Sequence, residues 1–340
     1  MNLRYSILLV LLMAGAVCIP SLAQVRKYPQ QDISFTEYLN RVGKSNLGYL
    51  AERLNVSIAD AETVAQKVLP DPELEFEAGS DNFSLGLSYS LELGNKRGSR
   101  IRLARSRAEL EKLLLEQGFQ DLRADAADLF FEAILQRELL GVQNRSYQYM
   151  LQLSQSDSLR YAAGEITEND ARQSKLEAMT LLNTVYTQEA AYQSALVMLN
   201  RYMGATADTL NIPLGDWEEL SRDFALAELI SAGLDNRIDL LAAQKSTEVS
   251  TREYKLTRAE RRPDIGLSAS YERDWHGFLP PARSAIGGVS VPLKFSNTNK
   301  GAIKAAKLRI TQSEVRERDM ELQIQAEIHQ AWYNYEAEKK

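Results

Sequence analysis

An internal duplication constrains the fold of this 340-residue chain more than any other feature of its sequence. The stretch PELEFEA at residues 72–78 recurs as PDIGLSA at residues 263–269, an offset of 191, and ADLFFEA at residues 127–133 recurs as AWYNYEA at residues 331–337, an offset of 204. The 13-residue difference between the offsets fits a longer hairpin loop in the second copy. We therefore predict a duplicated strand–strand–helix–helix unit, in a fold that is mainly α with β.

Apolar and small or polar residues alternate in four stretches, which predicts strands at about residues 72–78, 83–93, 264–272 and 286–295. In the second stretch every other side chain is apolar, and those between are serine, glycine or glutamate. About 9–11 residues with one apolar face can cross a bilayer as a tilted strand. Half-buried hairpins in a soluble domain are the commoner source of alternation, so both interpretations are open from the pattern alone.

Four strands cannot close on themselves, and open strand edges are not tolerated in hydrocarbon. A membrane-spanning version must therefore pool strands from several copies, and a homotrimer with a twelve-stranded β-barrel is the simplest symmetric solution. Aromatic residues near the predicted loops, Tyr271, Trp275 and Phe278, favour this interpretation. Outer-membrane lipid would then be one partner of the protein.

A helical hairpin is predicted at about residues 99–203, and another long helix begins at about residue 300. At the turn of the hairpin, Gly164 suits a helix C-cap, Thr167 an N-cap, and Asp170 the acidic half of a capping box. An ordinary helix–helix turn accounts for all three residues. The turn chemistry alone therefore assigns no function.

The first residues have the pattern of an export signal. A positively charged start precedes an apolar run at residues 7–19, which is shorter than the roughly 20 residues of a membrane-spanning helix. Cleavage is predicted after Ala23, so that residues 1–23 form a signal peptide. Lipidation at Cys18 is the alternative.

Composition argues against several classes of function. Cys18 is the only cysteine, and His276 and His329 are the only histidines, which argues against a disulfide framework and against a dedicated metal site. The chain has 46 acidic and 40 basic side chains, so it lacks the charge of a nucleic-acid-binding protein. We find no nucleophile–base pattern and no phosphate-binding loop, and we predict no catalytic residues and no cofactor.

Four motifs resemble the TolC family of outer-membrane efflux channels. They are the NRIDLLAA run at residues 236–243, the YAAGEIT run at residues 161–167, the Pro-Leu pair at residues 292–293, and LELGNKRGSRI at residues 91–101. The last is similar to the CzcC-like branch of this family, which is associated with heavy-metal efflux. Each motif is weak by itself, but all four occur in the right order on a duplicated scaffold.

The resemblance implies a trimeric conduit, with a barrel in the outer membrane that continues as a coiled-coil-like α-helical tunnel across the periplasm. A periplasmic adaptor and an inner-membrane pump are the implied partners. The resemblance also assigns five residues of the hairpin turn to an adaptor-docking tip: Gly164, Glu165, Ile166, Thr167 and Asp170. Metal ions are favoured over drugs or other small molecules as cargo. In the LELGNKRGSRI run, Lys96, Arg97 and Arg100 are alternatively explained as anchors of the strand–helix junction.

The predicted organisation is a first repeat at residues 24–207, a linker at residues 208–222 and a second repeat at residues 223–340. In the linker, Asn211, Ile212 and Pro213 are predicted to form a loop, with Trp217 anchoring the connection. The duplication predicts a final helical hairpin of roughly sixty to seventy residues that the sequence does not contain. This indicates either a fragment or a truncated product, and apolar seams exposed in the tunnel.

A soluble periplasmic coiled-coil scaffold, similar in role to an adaptor, is the alternative function. It requires the strand hairpins to pack on a protein core without lipid contact. Dependence on detergent after membrane fractionation distinguishes the two possibilities.

Overall fold

The computed structural model describes residues 30–206, 210–215, 224–275, 282–293 and 298–339. The predicted signal peptide with Cys18, and the side chains of Trp217, His276 and Phe278, lie outside these residues.

The described chain is mainly helical. The seven helices of the described residues are α1 Phe35–Ser45, α2 Leu47–Ala65, α3 Lys96–Ala162, α4 Glu168–Tyr202, α5 Leu226–Asn236, α6 Ile238–Ala259 and α7 Lys300–Glu338. Helix α3 has 67 residues, which is about 100 Å at about 1.5 Å per residue. It packs against α4 in an antiparallel hairpin, and α1, α2 and α6 also pack on it.

Two sheets accompany the helices. Their strands are β1 Gln30–Ser34, β2 Glu73–Ala78, β3 Asn82–Leu91, β4 Leu210–Leu214, β5 Ile265–Asp274 and β6 Ala282–Ser290. The larger sheet is antiparallel throughout and has the order β2-β3-β5-β6, so the strands from the two repeats lie side by side. The predicted fold class, mainly α with β in a duplicated strand–strand–helix–helix unit, is confirmed.

Two details of the sequence prediction are wrong. Asn211, Ile212 and Pro213 do not form a loop, because β4 pairs in parallel with β1, which places Pro213 opposite Ile33. Proline is tolerated there because β4 pairs on one side only among the described residues, and its missing N–H faces away from the ladder. The last strand was predicted at about residues 286–295, but it begins earlier and comprises Ala282–Ser290.

The duplication extends further toward the N-terminus than the sequence motifs indicate. Helices α1 and α2 correspond to α5 and α6 at the same offset of 191, since Phe35 corresponds to Leu226 and Asn46 to Arg237. Each pair of helices is separated by that single residue, Asn46 or Arg237, which caps both neighbours. One repeat is therefore helix–helix–strand–strand–helix, followed in the first copy by α4.

The main core lies where α1, α3, α4 and the small sheet meet. Its centre is aromatic and aliphatic: Phe130 and Tyr38 are fully buried, and their ring centroids are 5.4 Å apart. Leu196 and Leu199 of α4 close the cluster from the other side. Burial raises the pKa of the Tyr38 phenol above its ordinary value, with a further contribution from Tyr202.

Candidate functional site

The larger sheet has one apolar face that runs across all four strands. Because residues opposite each other in an antiparallel sheet share a face, the registers can be followed from strand to strand. Leu74 lies opposite Leu87, which lies opposite Ala269, and Leu267 lies opposite Val289. The face comprises these residues with Phe76, Phe83, Leu85, Tyr89, Leu91, Ile265 and Tyr271.

This apolar face is largely uncovered by the protein itself. Leu74 is 70% exposed, Phe76 65% and Val289 72%. The opposite face carries mainly serine, glycine and glutamate, with Ile286 as an apolar exception that is 53% exposed. An exposed apolar patch of this extent marks a surface that contacts lipid or another protein.

An aromatic residue and a cation meet where β5 ends. The Arg273 guanidinium lies over the Trp275 ring, 5.4 Å from its centroid, and the backbone N–H of Trp275 donates a 2.8 Å hydrogen bond to the Asp81 carbonyl. Indole rings and long cationic side chains favour the boundary between lipid and water. The hairpin end of the sheet therefore has the chemistry of such a boundary.

At the opposite end of the strands, a partly buried ion pair joins the two repeats. Lys96, the first residue of α3, has a side chain that is only 9% exposed, and its Nζ donates 2.7 Å hydrogen bonds to both carboxylate oxygens of Asp264. The Leu93 N–H donates to the same carboxylate at 3.0 Å. Asp264 directly precedes β5, so this contact fixes the start of α3 against the start of a strand from the other copy.

The other two predicted junction residues lie beside this pair. Arg97 donates from Nε and Nη2 to the Lys67 carbonyl, at 2.8 and 2.6 Å. Arg100 forms a two-point ion pair with Glu92, and this hydrogen bonding raises the pKa of the guanidinium. All three cations thus bind protein groups at one strand–helix junction.

The backbone turns sharply at both strand–helix junctions. Asn95 has a φ of 58° and Asn299 a φ of 55°, in the left-handed region that asparagine tolerates better than most residues. The two asparagines are related by the offset of 204, and each is followed by lysine at the first position of a helix. The junction is therefore duplicated along with the strands.

The tip of the α3–α4 hairpin has the turn chemistry predicted from the sequence. Gly164 has a φ of +78°, its N–H donates to the Tyr161 carbonyl, and the Glu165 N–H donates to the Arg160 carbonyl, both at 2.9 Å. This double hydrogen bond is the Schellman termination of a helix. Ile166, between the cap and α4, is half-buried in an otherwise exposed tip.

A capping box starts α4 at the same tip. The Asp170 N–H donates to the Thr167 hydroxyl at 3.3 Å, and the Thr167 N–H donates to the Asp170 carboxylate at 3.2 Å. The tip is therefore a rigid, exposed turn at the far end of a helix about 100 Å long.

Polar contacts join α6 to α3 along the seam between the repeats. Glu248 accepts hydrogen bonds from Lys245 at 2.8 Å, from Arg252 at 2.9 Å and from the Ser106 hydroxyl at 3.2 Å, and Lys245 also pairs with Glu109. The hydrogen bond from Lys245, followed by that from Arg252, lowers the pKa of the Glu248 carboxyl from 4.5 to about 2.

Replacing Glu248 by glutamine is expected to lower stability at neutral pH but not in strong acid. Since the folded carboxyl has the lower pKa, its stabilisation is complete above about pH 4.5 and disappears as the pH falls toward about 2. Thermal unfolding in detergent, followed by circular dichroism from pH 7 to pH 2, measures the difference between the variant and the native protein. Glu314→Gln on exposed α7 is the control, and a difference that does not shrink below pH 4 contradicts the assignment.

The described parts of the chain contain neither a metal-binding cluster nor a helix that could cross a membrane. No group of three or more His, Cys, Asp or Glu side chains is arranged there to hold a metal ion. None of the helices there has the combination of length and apolar character that crossing a membrane requires.

The fold is that of outer-membrane channels. The chain superposes on CusC, whose structures describe transmembrane channel formation, with a TM-score of 0.69 and 16% identity over 88% of this chain and 74% of that one. It superposes on the CmeC outer membrane channel of Campylobacter jejuni with a TM-score of 0.69 and 12% identity, over 85% and 68% of the two chains. The outer membrane protein VceC of Vibrio cholerae gives a TM-score of 0.67 and 14% identity, over 89% and 79%.

Sequence comparison relates the chain to efflux proteins of the outer membrane. Residues 229–340 match the family model described as Outer membrane efflux protein. The chain is also 25% identical over 275 residues to the cobalt-zinc-cadmium resistance protein CzcC of Cupriavidus metallidurans, an alignment that covers 79% of this chain and 64% of that protein. The chain thus spans slightly less than two thirds of the length of this relative. The resemblance to TolC-family efflux proteins of the CzcC-like branch is confirmed.

Proposed function

We propose that this chain is the outer-membrane subunit of a tripartite efflux system and acts as a passive conduit from the periplasm to the exterior. The observation that carries the proposal is the exposed apolar face of the β2-β3-β5-β6 sheet, joined through a rigid junction to α3. In this arrangement the sheet lies in the outer membrane and the long helices extend into the periplasm. No step of such transport requires a catalytic residue or a cofactor.

A closed ring requires strands from more than one copy. The edge strands β2 and β6 each lack a neighbour on one side among the described residues, and three copies would supply twelve strands. The apolar face would contact lipid, and the serine, glycine and glutamate face would line the lumen. The conduit is thus a homotrimer whose helices form the tunnel wall.

Divalent metal ions are the proposed cargo. The support is the similarity to a cobalt-zinc-cadmium resistance protein together with the LELGNKRGSRI run at residues 91–101. Lys96, Arg97 and Arg100 of this run bind protein groups at the junction, which supports a role in anchoring it and not in binding cargo. Selection of the cargo would then lie mainly with the pump.

Membrane fractionation and electrophoresis test the proposal. In a Gram-negative host, the full chain is expected in the outer membrane, to require detergent for extraction, and to migrate without heating as a trimer that becomes a monomer on heating. Conductance in planar bilayers is expected from the same trimer. A monomer that remains soluble without detergent would contradict the proposal and favour the periplasmic scaffold.

The hairpin tip is the proposed docking site for a periplasmic adaptor, through Gly164, Glu165, Ile166, Thr167 and Asp170. Its support is a rigid, exposed turn at the end of the hairpin farthest from the sheet. Docking there would connect the tunnel with the inner-membrane pump.

Reversing a charge at the tip is expected to impair efflux without affecting assembly. Glu165→Arg places a second cation beside Arg160, whose Nε now lies 3.3 Å from the Glu165 carboxylate, and changes the charge presented to an adaptor. Resistance to cobalt, zinc and cadmium in cells that also express the cognate adaptor and pump should fall, while the trimer persists. Glu177→Arg, an exposed position farther along α4, is the control; equal losses in both variants would contradict tip docking.

A further inference from the structure

Among the described residues, the outer edges of the sheet, on β2 and β6, have no paired strand, and by the duplication they correspond to the two strands that meet at the seam between the repeats. Within one chain, β3 of the first copy pairs with β5 of the second. By the duplication, β6 corresponds to β3 and β2 corresponds to β5. The edge strands β6 and β2 therefore correspond to the two strands that pair at the internal seam, but they lie on opposite sides of one protomer.

The correspondence between the two hairpins is exact in strand register. Applying the offset of 191 to the first strand and 204 to the second converts the pair Glu75–Gly86 of the first hairpin into Gly266–Ser290. That pair is observed in the second hairpin. The offsets therefore transfer strand registers from one copy to the other without slippage.

The ion pair at the junction can be transferred in the same way. Lys96 corresponds to Lys300 at the offset of 204, and Asp264 corresponds to Glu73 at the offset of 191. Both Lys300 and Glu73 are exposed, and neither makes a salt bridge within the described parts of one protomer. The two edges of the sheet thus carry opposite charges at the positions where the internal seam has a partly buried ion pair.

We propose that Lys300 of one protomer binds Glu73 of the partner subunit and that β6 extends to pair with β2 of that subunit. Transferring the internal pairs Leu87–Ala269 and Tyr89–Leu267 gives the register: Val291 lies opposite Ala78 of the partner subunit, and Leu293 lies opposite Phe76 of the partner subunit. This inference rests on the proposed function, because it specifies how copies of the chain join into the ring.

The helices below the sheet support the same partner. At the internal seam, Lys245 of α6 forms an ion pair with Glu109 of α3. Helix α2 is the repeat counterpart of α6, and its residue at the position of Lys245 is Leu54. Leu54 is 61% exposed, and Ile58, one turn later, is 55% exposed. An apolar stripe on a helix favours a covering surface. In the proposed assembly, α7 of a second copy covers it as α3 covers α6.

Cysteine cross-linking tests the register in the full chain, embedded in outer membranes and with Cys18 replaced by serine. Phe76→Cys combined with Leu293→Cys is expected to give oxidised dimers and trimers, since directly opposite Cβ atoms lie about 4.5–5.5 Å apart. Leu74→Cys with Leu293→Cys is the control, on the same face but two residues out of register, where Cβ atoms about 7–8 Å apart are too distant for a disulfide.

Each other outcome contradicts the inference in a distinguishable way. Cross-linking that favours the control pair, or none in a trimer, shows that the register is wrong. A monomer that resides in the outer membrane and conducts overturns pairing between copies and leaves the channel function intact. A soluble monomer overturns both the inference and the proposed function.

Charge exchange tests the ion pair separately. Lys300→Glu and Glu73→Lys are each expected to lower the temperature at which the trimer dissociates on gels, and the double variant is expected to restore it. Lys304→Glu on the same helix is the matched control and should leave that temperature unchanged. A double variant as labile as the single ones would contradict the pairing.

Discussion

Replacement of Asp264 by asparagine is expected to destabilise the folded protomer by about 1.5–3 kcal/mol. Asparagine preserves the volume of the side chain, but it leaves the Lys96 ammonium, which is only 9% exposed, without a counter-charge. Removing one member of a buried pair costs far more than removing both, because the remaining charge stays desolvated. Denaturant unfolding of the detergent-solubilised protein, followed by circular dichroism, measures the loss.

The double variant Asp264→Asn with Lys96→Met is the control for this prediction. Methionine fills most of the volume of the lysine stem and carries no charge, so much of the lost stability should return. A double variant as unstable as Asp264→Asn alone would mean that the hydrogen bond from Leu93 to Asp264, and not the lysine charge, fixes the junction.

The substitution Leu87→Lys is expected to prevent stable insertion into the outer membrane. Leu87 lies midway along β3 on the apolar face, opposite Leu74 and Ala269. A lysine on a lipid-facing strand near the bilayer midplane costs about 2–4 kcal/mol. In a symmetric trimer this cost applies three times, so the heat-modifiable trimer should disappear from the outer-membrane fraction.

Ser88→Lys is the matched control, because the neighbouring residue points to the opposite, polar face. It is expected to leave trimer yield almost unchanged and to alter ion selectivity in planar bilayers. Equal losses at the two positions would mean that both faces of the sheet are covered by protein, as the scaffold alternative requires.

The strands and the hairpin tip could be predicted because their causes are local. Alternation reports the pleat of β3 directly, and a glycine followed by a threonine-based capping box reports a helix–helix turn. Gly164, Thr167 and Asp170 accordingly adopt the capping roles expected of them.

Contacts between distant residues could not be predicted in the same way. Asp264 lies 168 residues from Lys96, and no local pattern distinguishes it from an ordinary residue at the start of a strand. The pairing of β1 with β4 was missed because each has only five residues and Pro213 suggested a loop. A search for charge pairs at the two repeat offsets could have found Asp264, because Glu73 occupies the same position in the first copy.

The strand registers of the sheet also determine how far its strands would be inclined to the axis of a closed barrel. Straight across the sheet, perpendicular to the strands, Leu74 of β2 lies opposite Leu87 of β3, which lies opposite Ala269 of β5. By the duplication, however, the residue of β5 that corresponds to Leu74 is Ile265, four residues before Ala269. Each copy is therefore displaced by four residues along the strands, which is about 13 Å at about 3.3 Å per residue. An even displacement keeps every side chain on its own face. A displaced sheet that closes must incline its strands to the tube axis, and greater inclination widens the tube. In the proposed trimer, the four-residue step between the repeats therefore helps to set the diameter of the barrel.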